Sequence, residues 1–318
     1  MVERARAAYI FPGQGSQKVG MGQDLYNGCP QAKEIFQEAD DALGFSLSRL
    51  CFEGPEDELT RTDNVQPAIL VTSIACLKAA REKCNANLPS PSFVAGHSLG
   101  EYTALVAVDA LSIGDAVSLV RHRGRLMYQA GQRRPGGMLA ILGAAEDAVR
   151  RICLKSGCII ANINCPGQIV ISGALEELEE AKRLARAEGA RQIPLKVSGA
   201  FHSTLMQPVI DEFREIVSTT VFHQPSVPLI ANVTARPLTG VDEIKAELVT
   251  QLCHCIQWQG SVEHMADEEV STFYEIGPGK VLSGLIRRIN PELETVNISS
   301  IEEISQLEAS SPPSKERD

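Results

Sequence analysis

Phe93-Val94-Ala95-Gly96-His97-Ser98-Leu99-Gly100-Glu101 is the stretch that decides the fold. An apolar run leads into Gly-x-Ser-x-Gly, and a helix-forming segment follows over residues 102–111. Strand, tight turn and helix in that order are the setting of a nucleophile elbow. The turn projects the serine hydroxyl clear of the backbone. Its glycines let the turn form and let neighbouring chain approach closely. The helix N-terminus behind it offers unpaired N–H groups and positive dipole to a developing oxyanion. The pentapeptide alone recurs by chance, so its flanks carry the meaning. Ser98 is the candidate nucleophile.

Upstream, residues 7–11 read as a short apolar strand ending at Pro12-Gly13-Gln14-Gly15-Ser16. Helical patterns cover 30–43, 66–83 and 113–130, with Ser112 as an N-cap. Strands alternating with helices predict a mostly parallel sheet with helices on both faces. The pattern changes after Arg133-Arg134-Pro135-Gly136-Gly137. Strand 138–142, helix 146–155, strands 159–163 and 168–172, helix 175–188 and strand 191–197 spell βαββαβ, the ferredoxin-like unit. Glu179 and Arg183 on its second helix are spaced i,i+4, as on an exposed face. A larger α/β domain, residues 1–132 and 198–306, is thus interrupted by a subdomain at 133–197. It resumes with helix 203–217, strand 229–232, helical runs near 241–253 and 261–265, strand 272–276, helix 280–289 and strand 296–299. Residues 307–318 are polar and Pro/Ser-rich and read as a disordered tail.

The 318 residues suit one large domain carrying a smaller one. A net charge of −10 argues against nucleic acid, whose binders rely on basic surface. No apolar run reaches membrane-spanning length. Residues 1–8 hold no apolar segment of signal-peptide length. The nine cysteines lack zinc-site spacing and read as reduced core thiols. A cytoplasmic protein is expected.

A serine hydroxyl needs a base. Of six histidines, His202 stands out. It follows a strand, in Ser198-Gly199-Ala200-Phe201-His202-Ser203, where α/β sheets collect functional groups. His97 is expected to pack or hydrogen-bond behind the elbow. An oxyanion hole needs two donors. The N–H of Leu99 is one, and that of Gln14, in the first glycine-rich loop, is the other. That loop lacks both the Walker Lys-Ser/Thr and a full G-x-G-x-x-G, which weakens a nucleotide-binding reading.

Several segments together resemble one family. They are Phe-Pro-Gly-Gln-Gly-Ser-Gln (11–17), Asn64-Val65-Gln66-Pro67-Ala68, Gly-His-Ser-Leu-Gly-Glu-Tyr (96–102), Arg121-His122-Arg123-Gly124, Asn162-Ile163-Asn164-Cys165-Pro166-Gly167-Gln168 and Gly-Ala-Phe-His-Ser (199–203). Gln257-Trp258 and Glu275-Ile276-Gly277-Pro278-Gly279 continue the match. The chain over roughly residues 8–300 is similar to malonyl-CoA:acyl-carrier-protein transacylase, whose family includes the acyltransferase domains of fatty acid and polyketide synthases.

The resemblance implies an α/β-hydrolase-like large domain with an inserted ferredoxin-like subdomain. It implies ping-pong transfer through an acyl ester of Ser98, with His202 as base and Gln14 and Leu99 as oxyanion donors. Arg123 would pair with the malonyl carboxylate, a geometry that guanidinium meets with two parallel bonds. Gln257 matches a position near the histidine. That histidine is oriented by a carbonyl, which fits the lack of an acidic partner between Ser98 and His202. Phe201 matches a malonyl-selective pattern and also fits ordinary packing. Asn162 counts as substrate-binding; with Asn164 and Gln168 it equally fits a turn between strands. No cofactor is implied. The expected partners are malonyl-CoA and acyl carrier protein, met by a monomer, with Lys280, Arg287 and Arg288 as a docking patch. A polyketide transferase, an acyl-thioester hydrolase and a carrier-binding module remain open as alternatives.

Overall fold

A computed structural model describes residues 6–84 and 88–309. The chain opens with β1 (Arg6–Phe11), α1 (Gln23–Gly28), α2 (Pro30–Leu43), α3 (Leu47–Glu53), α4 (Glu56–Thr60), α5 (Thr62–Cys84), β2 (Phe93–Gly96), α6 (Gly100–Ala107) and α7 (Ile113–Arg133). Next come β3 (Gly136–Leu142), α8 (Glu146–Ser156), β4 (Ile159–Cys165), β5 (Gln168–Ala174), α9 (Leu175–Ala187) and β6 (Arg191–Pro194). A 3-10 turn, Thr204–Val209, runs into α10 (Ile210–Thr219), β7 (Leu229–Ile230), β8 (Pro237–Leu238) and α11 (Val241–Thr250). A second 3-10 turn, Gln251–Cys253, precedes α12 (Trp258–Asp267), β9 (Val270–Ile276), α13 (Val281–Ile289), β10 (Glu294–Ile298) and α14 (Ile301–Ala309).

The large sheet has the order β10-β9-β1-β2-β7-β8 and is parallel except for the edge pair β7–β8. Its centre is apolar on both faces, as a covered parallel sheet requires. Tyr9 and Phe11 of β1 point into the core under α5 and α7, while Ala8 and Ile10 meet Trp258, Phe273 and Ile286 on the other face. The small sheet has the order β4-β5-β3-β6 and is antiparallel throughout. With α8 and α9 on one face it encloses its own core, including Ile141, Ile152, Ile171 and Leu178. The protein is an α/β-hydrolase-like domain with a mostly parallel sheet plus a ferredoxin-like subdomain.

The two chain crossings into the small sheet lie side by side. A Cβ built on Gly131 would meet Ser198 O at 2.2 Å, and one on Gly136 would meet the Ala200 Cβ at 2.9 Å. Both glycines are therefore required by close approach.

Local chemistry explains where expected elements shift. Helix α5 begins four residues before Gln66, with Pro67 inside it. Proline cannot donate to Asp63 O. Arg121 Nη1 donates there instead, at 3.3 Å. The expected helix at 203–217 is divided: Pro208 sits in the 3-10 turn, and α10 starts two residues later. Ser112 caps α7 as expected, accepting Asp115 N–H at 3.0 Å. On α9 the ion pairs run i,i+3: Arg183 pairs with Glu180, and Lys182 with Glu179. Residues 307–309, expected in the tail, end α14; residues 310–318 lie outside the described ones.

Candidate active site

Strands β1 and β2 are parallel neighbours, so their carboxyl ends put the Gly13–Gly15 loop beside the elbow. Ser98 has φ of 53°, a strained left-handed conformation for a non-glycine residue. The turn closes only over glycine. A Cβ on Gly96 would meet Gly100 C at 1.8 Å, and one on Gly100 would meet Phe11 O at 2.1 Å.

Side chains hold the strained residue at both ends. Its N–H donates to Asn232 Oδ1 at 2.7 Å, and its carbonyl accepts Gln251 Nε2 at 3.0 Å. Asn232 also donates through Nδ2 to Gly96 O at 2.7 Å.

His202 is buried and also has a positive φ, of 55°. Its Nδ1 lies 2.8 Å from Gln251 O. A carbonyl only accepts, so Nδ1 carries the proton and Nε2 of the neutral ring is the acceptor. Nε2 lies 2.8 Å from Ser98 Oγ, which donates to it. Burial first, and the Arg123 charge second, push the histidine's pKa down to about 3. The ring is thus held neutral, ready to take a proton.

Arg123 projects from the middle of α7 and is only 1% exposed. Nη1 donates to Gln66 Oε1 at 2.8 Å. Nη2 donates to Gln251 Oε1 at 2.7 Å and to Ser98 Oγ at 3.1 Å. The guanidinium lies 5.2 Å from the Tyr102 ring centroid, and among the described residues its Nε has no acceptor. A buried cation held by neutral groups, with a donor unused, suits an incoming anion.

The N–H groups of Gln14 and Leu99 make no hydrogen bond among the described residues. Both residues line a cavity of about 80 Å³ with Ser98, Arg123, Phe201 and His202. That space fits a short acyl group. Gln14, His97, Asn162 and Leu195 also line an adjoining cavity of about 210 Å³, bounded by α13 and the small sheet. Together the two make a route from outside to Ser98.

Asn162 sits within β4 rather than in a turn, and its buried Oδ1 has no partner among the described residues. Cys165 ends the same strand, so the turn contracts to Pro166 and Gly167. His97 faces the route rather than the back of the elbow. Its Nε2 donates to Asn164 Oδ1 at 2.9 Å, and its ring lies 5.7 Å from that of Trp258.

Gln257 requires a correction. It stands before α12, its N–H donates to Asn232 O at 2.7 Å, and it lines a separate hollow with Arg150 and Cys153. The glutamine that meets the histidine is Gln251, which the 3-10 turn after α11 folds back over the elbow. The expected basic patch is largely occupied too. Lys280 pairs with Glu303 at 2.8 Å, and Arg288 donates to Gln168 Oε1 and Pro166 O at 2.6 and 3.0 Å.

Sequence reasoning missed Gln251, Asn232, Gln66 and Glu101. Gln66 and Glu101 stand inside recognisable motifs, but Gln251 opens the 3-10 turn after an ordinary helix and carries no local signal. All nine cysteines are free. Among the described residues, no cluster of three or more His, Cys, Asp or Glu could hold a metal, and no helix is long and apolar enough to cross a membrane.

Residues 8–303 match the family model for the acyl transferase domain. The malonyl CoA-acyl carrier protein transacylase of Bacillus subtilis is 47% identical over 306 residues, covering 94% of this chain and 95% of its own. The acyl carrier protein S-malonyltransferase of Vibrio cholerae has a crystal structure that superposes with a TM-score of 0.90 at 38% identity, covering 95% of this chain and 100% of that one. A malonyl-transacylase solved in complex with a type II polyketide synthase acyl-carrier protein superposes with a TM-score of 0.91 at 36% identity, covering 96% and 100%. Sequence, fold and the meeting of Ser98, His202 and Arg123 agree: the chain belongs to the acyl transferase domain family, with the malonyl-CoA:acyl-carrier-protein transacylases among its relatives.

Proposed function

We propose that this chain moves a malonyl group from malonyl-CoA to the phosphopantetheine thiol of an acyl carrier protein, through a malonyl ester of Ser98. The observation that carries this is Arg123 lying 3.1 Å from the Ser98 hydroxyl, in no salt bridge among the described residues. A carboxylate-bearing acyl group supplies one.

In the first half-reaction Ser98 Oγ attacks the thioester carbonyl and its proton passes to His202 Nε2. The N–H groups of Gln14 and Leu99 receive the oxyanion. The C–S bond breaks and the proton goes to the departing CoA sulfur. In the second, the carrier thiol gives its proton to His202 and its sulfur attacks the ester carbonyl. The C–O bond breaks and Ser98 Oγ recovers the proton. Arg123 holds the free carboxylate throughout, Phe201 limits width at the α-carbon, and Asn162 lines the approach. The transfer uses no cofactor.

Residues 1–132 and 198–306 act as the catalytic body, and 133–197 as the subdomain walling the route. The product feeds fatty acid synthesis in the cytoplasm.

Intact-mass spectrometry after incubation with a panel of acyl-CoAs, then with holo carrier protein, tests the proposal. A malonyl adduct that moves to the carrier is expected. Absence of the adduct, or its release mainly to water, overturns it.

A further inference from the structure

Glu101 lies in the first turn of α6 and is fully buried. A buried carboxylate is costly unless its oxygens are hydrogen-bonded. Here each oxygen takes one donor. Oε1 accepts Asn232 N–H at 2.9 Å, and Oε2 accepts Gln251 Nε2. Burial and the neighbouring Glu247 raise its affinity for a proton well above that of an ordinary carboxylate, and these donors together with Arg123 offset only part of that rise.

Both donor residues hold the elbow. Asn232 Oδ1 accepts Ser98 N–H, and Gln251 Nε2 also donates to Ser98 O. Gln251 further accepts Arg123 on Oε1 and His202 on its main-chain oxygen. The two ends of an amide differ little in shape, so its partners decide which way it lies. Glu101 Oε2 and Ser98 O both accept and Arg123 only donates, so Gln251 presents its NH2 to Glu101 and Ser98 and its oxygen to Arg123. Turned over, it would set NH2 against the guanidinium.

We infer that Glu101 is a positioning residue, fixing the Gln251 amide and through it the aim of Arg123 and the backbone of Ser98. This rests on the transferase reading above. It makes Glu101 a determinant of acyl selectivity without touching substrate.

The test compares wild type, Glu101→Gln and Glu101→Asp. Folding is checked by circular dichroism, and single-turnover acylation is measured with malonyl-CoA and acetyl-CoA. Glutamine has one acceptor for two donors, whereas aspartate keeps both oxygens, one methylene short. Glu101→Gln is expected to slow malonylation by about tenfold to a hundredfold and to lower the malonyl-to-acetyl ratio. Glu101→Asp should recover part of both. A merely structural role lowers both donors by one factor and leaves the ratio alone. An unchanged ratio in Glu101→Gln, or aspartate no better than glutamine, overturns the inference. If only Glu101→Asp folds, a lowered ratio supports the inference and a wild-type ratio overturns it. If neither folds, the carboxylate serves stability alone and the inference fails. Wild type that does not acylate would instead sink the transferase reading.

Discussion

The ring Nδ1 of His202 is 2.8 Å from the main-chain oxygen of Gln251. A neutral carbonyl here does what a carboxylate does in a hydrolase triad: it sets the tautomer and the ring plane. It adds no negative charge. The imidazolium that forms during attack is therefore less stabilised than beside an aspartate. A thioester is already activated, so this weaker assistance suffices.

Removal of the hydroxyl or the imidazole is the most direct check. Ser98→Ala is expected to abolish radiolabelled malonyl-enzyme. His202→Ala should leave the fold intact and slow acylation by about 10²- to 10⁴-fold. Label on Ser98→Ala at the wild-type level would place the nucleophile elsewhere, and wild-type kinetics in His202→Ala would do the same for the base.

Arg123→Ala should lower malonyl transfer and shift preference toward acetyl. Loss of a hydrogen-bonded charge is worth about 1.5–3 kcal/mol, so the malonyl-to-acetyl ratio should fall by about tenfold or more. Competition between the two labelled donors reads this directly. An unchanged ratio removes Arg123 from carboxylate recognition.

The pH profile follows from the environment of His202. A base works when deprotonated, and this one is pushed down to about 3, first by burial and then by Arg123. The kcat/KM for acylation reports the free enzyme, so it should stay flat from about pH 7 to about pH 5. The ordinary histidine range should show no acid limb. Arg123→Ala removes one depressing cause, so its acid limb should move upward. A wild-type limb at about 6.5 would contradict the buried, neutral ring.

Phe201→Ala should widen the acyl cavity beside the α-carbon. Discriminating one methyl is worth about 1–3 kcal/mol, so methylmalonyl should gain on malonyl by up to that much. A ratio of initial rates cancels any loss of folded enzyme. No change in the ratio would return Phe201 to a packing role.

Gly100→Ala tests the elbow as backbone. The added methyl would lie 2.1 Å from Phe11 O, so β1 and β2 must separate or the turn must open. A destabilisation of about 1–3 kcal/mol is expected by urea unfolding, with acylation lost in step. Wild-type stability would mean the elbow tolerates a side chain there.

Much of this site was legible in the chain because its functional groups sit where periodicity breaks. Ser98 follows β2 and Gln14 follows β1, whereas β6, expected to reach residue 197, ends at Pro194 in the small antiparallel sheet, so His202 belongs to a turn and not to a strand end of the large sheet. The division into two parts was legible from the change between βα alternation and βαββαβ order. Gln251 was not, because its role depends on a 3-10 turn folding α11's end over the elbow, a tertiary event. Gln257 drew attention by its place in a motif, six residues too late. Helices α3, α4 and α14 are short, and their packing rather than their patterning forms them.

The adjacency of Gly131 to Ser198, and of Gly136 to Ala200, brings the chain's exit to the small sheet and its return together. Ser98 precedes these crossings and His202 follows them, and Asn232 and Gln251 hold the pair at its 2.8 Å contact. The small sheet is held at its far side as well: Ile256 N–H donates to Ala161 O at 2.8 Å, and Ile163 N–H to Ile256 O at 2.9 Å. The outer wall of the acyl route is therefore tied on two sides to the body that carries the chemistry, so a change in one is felt in the other.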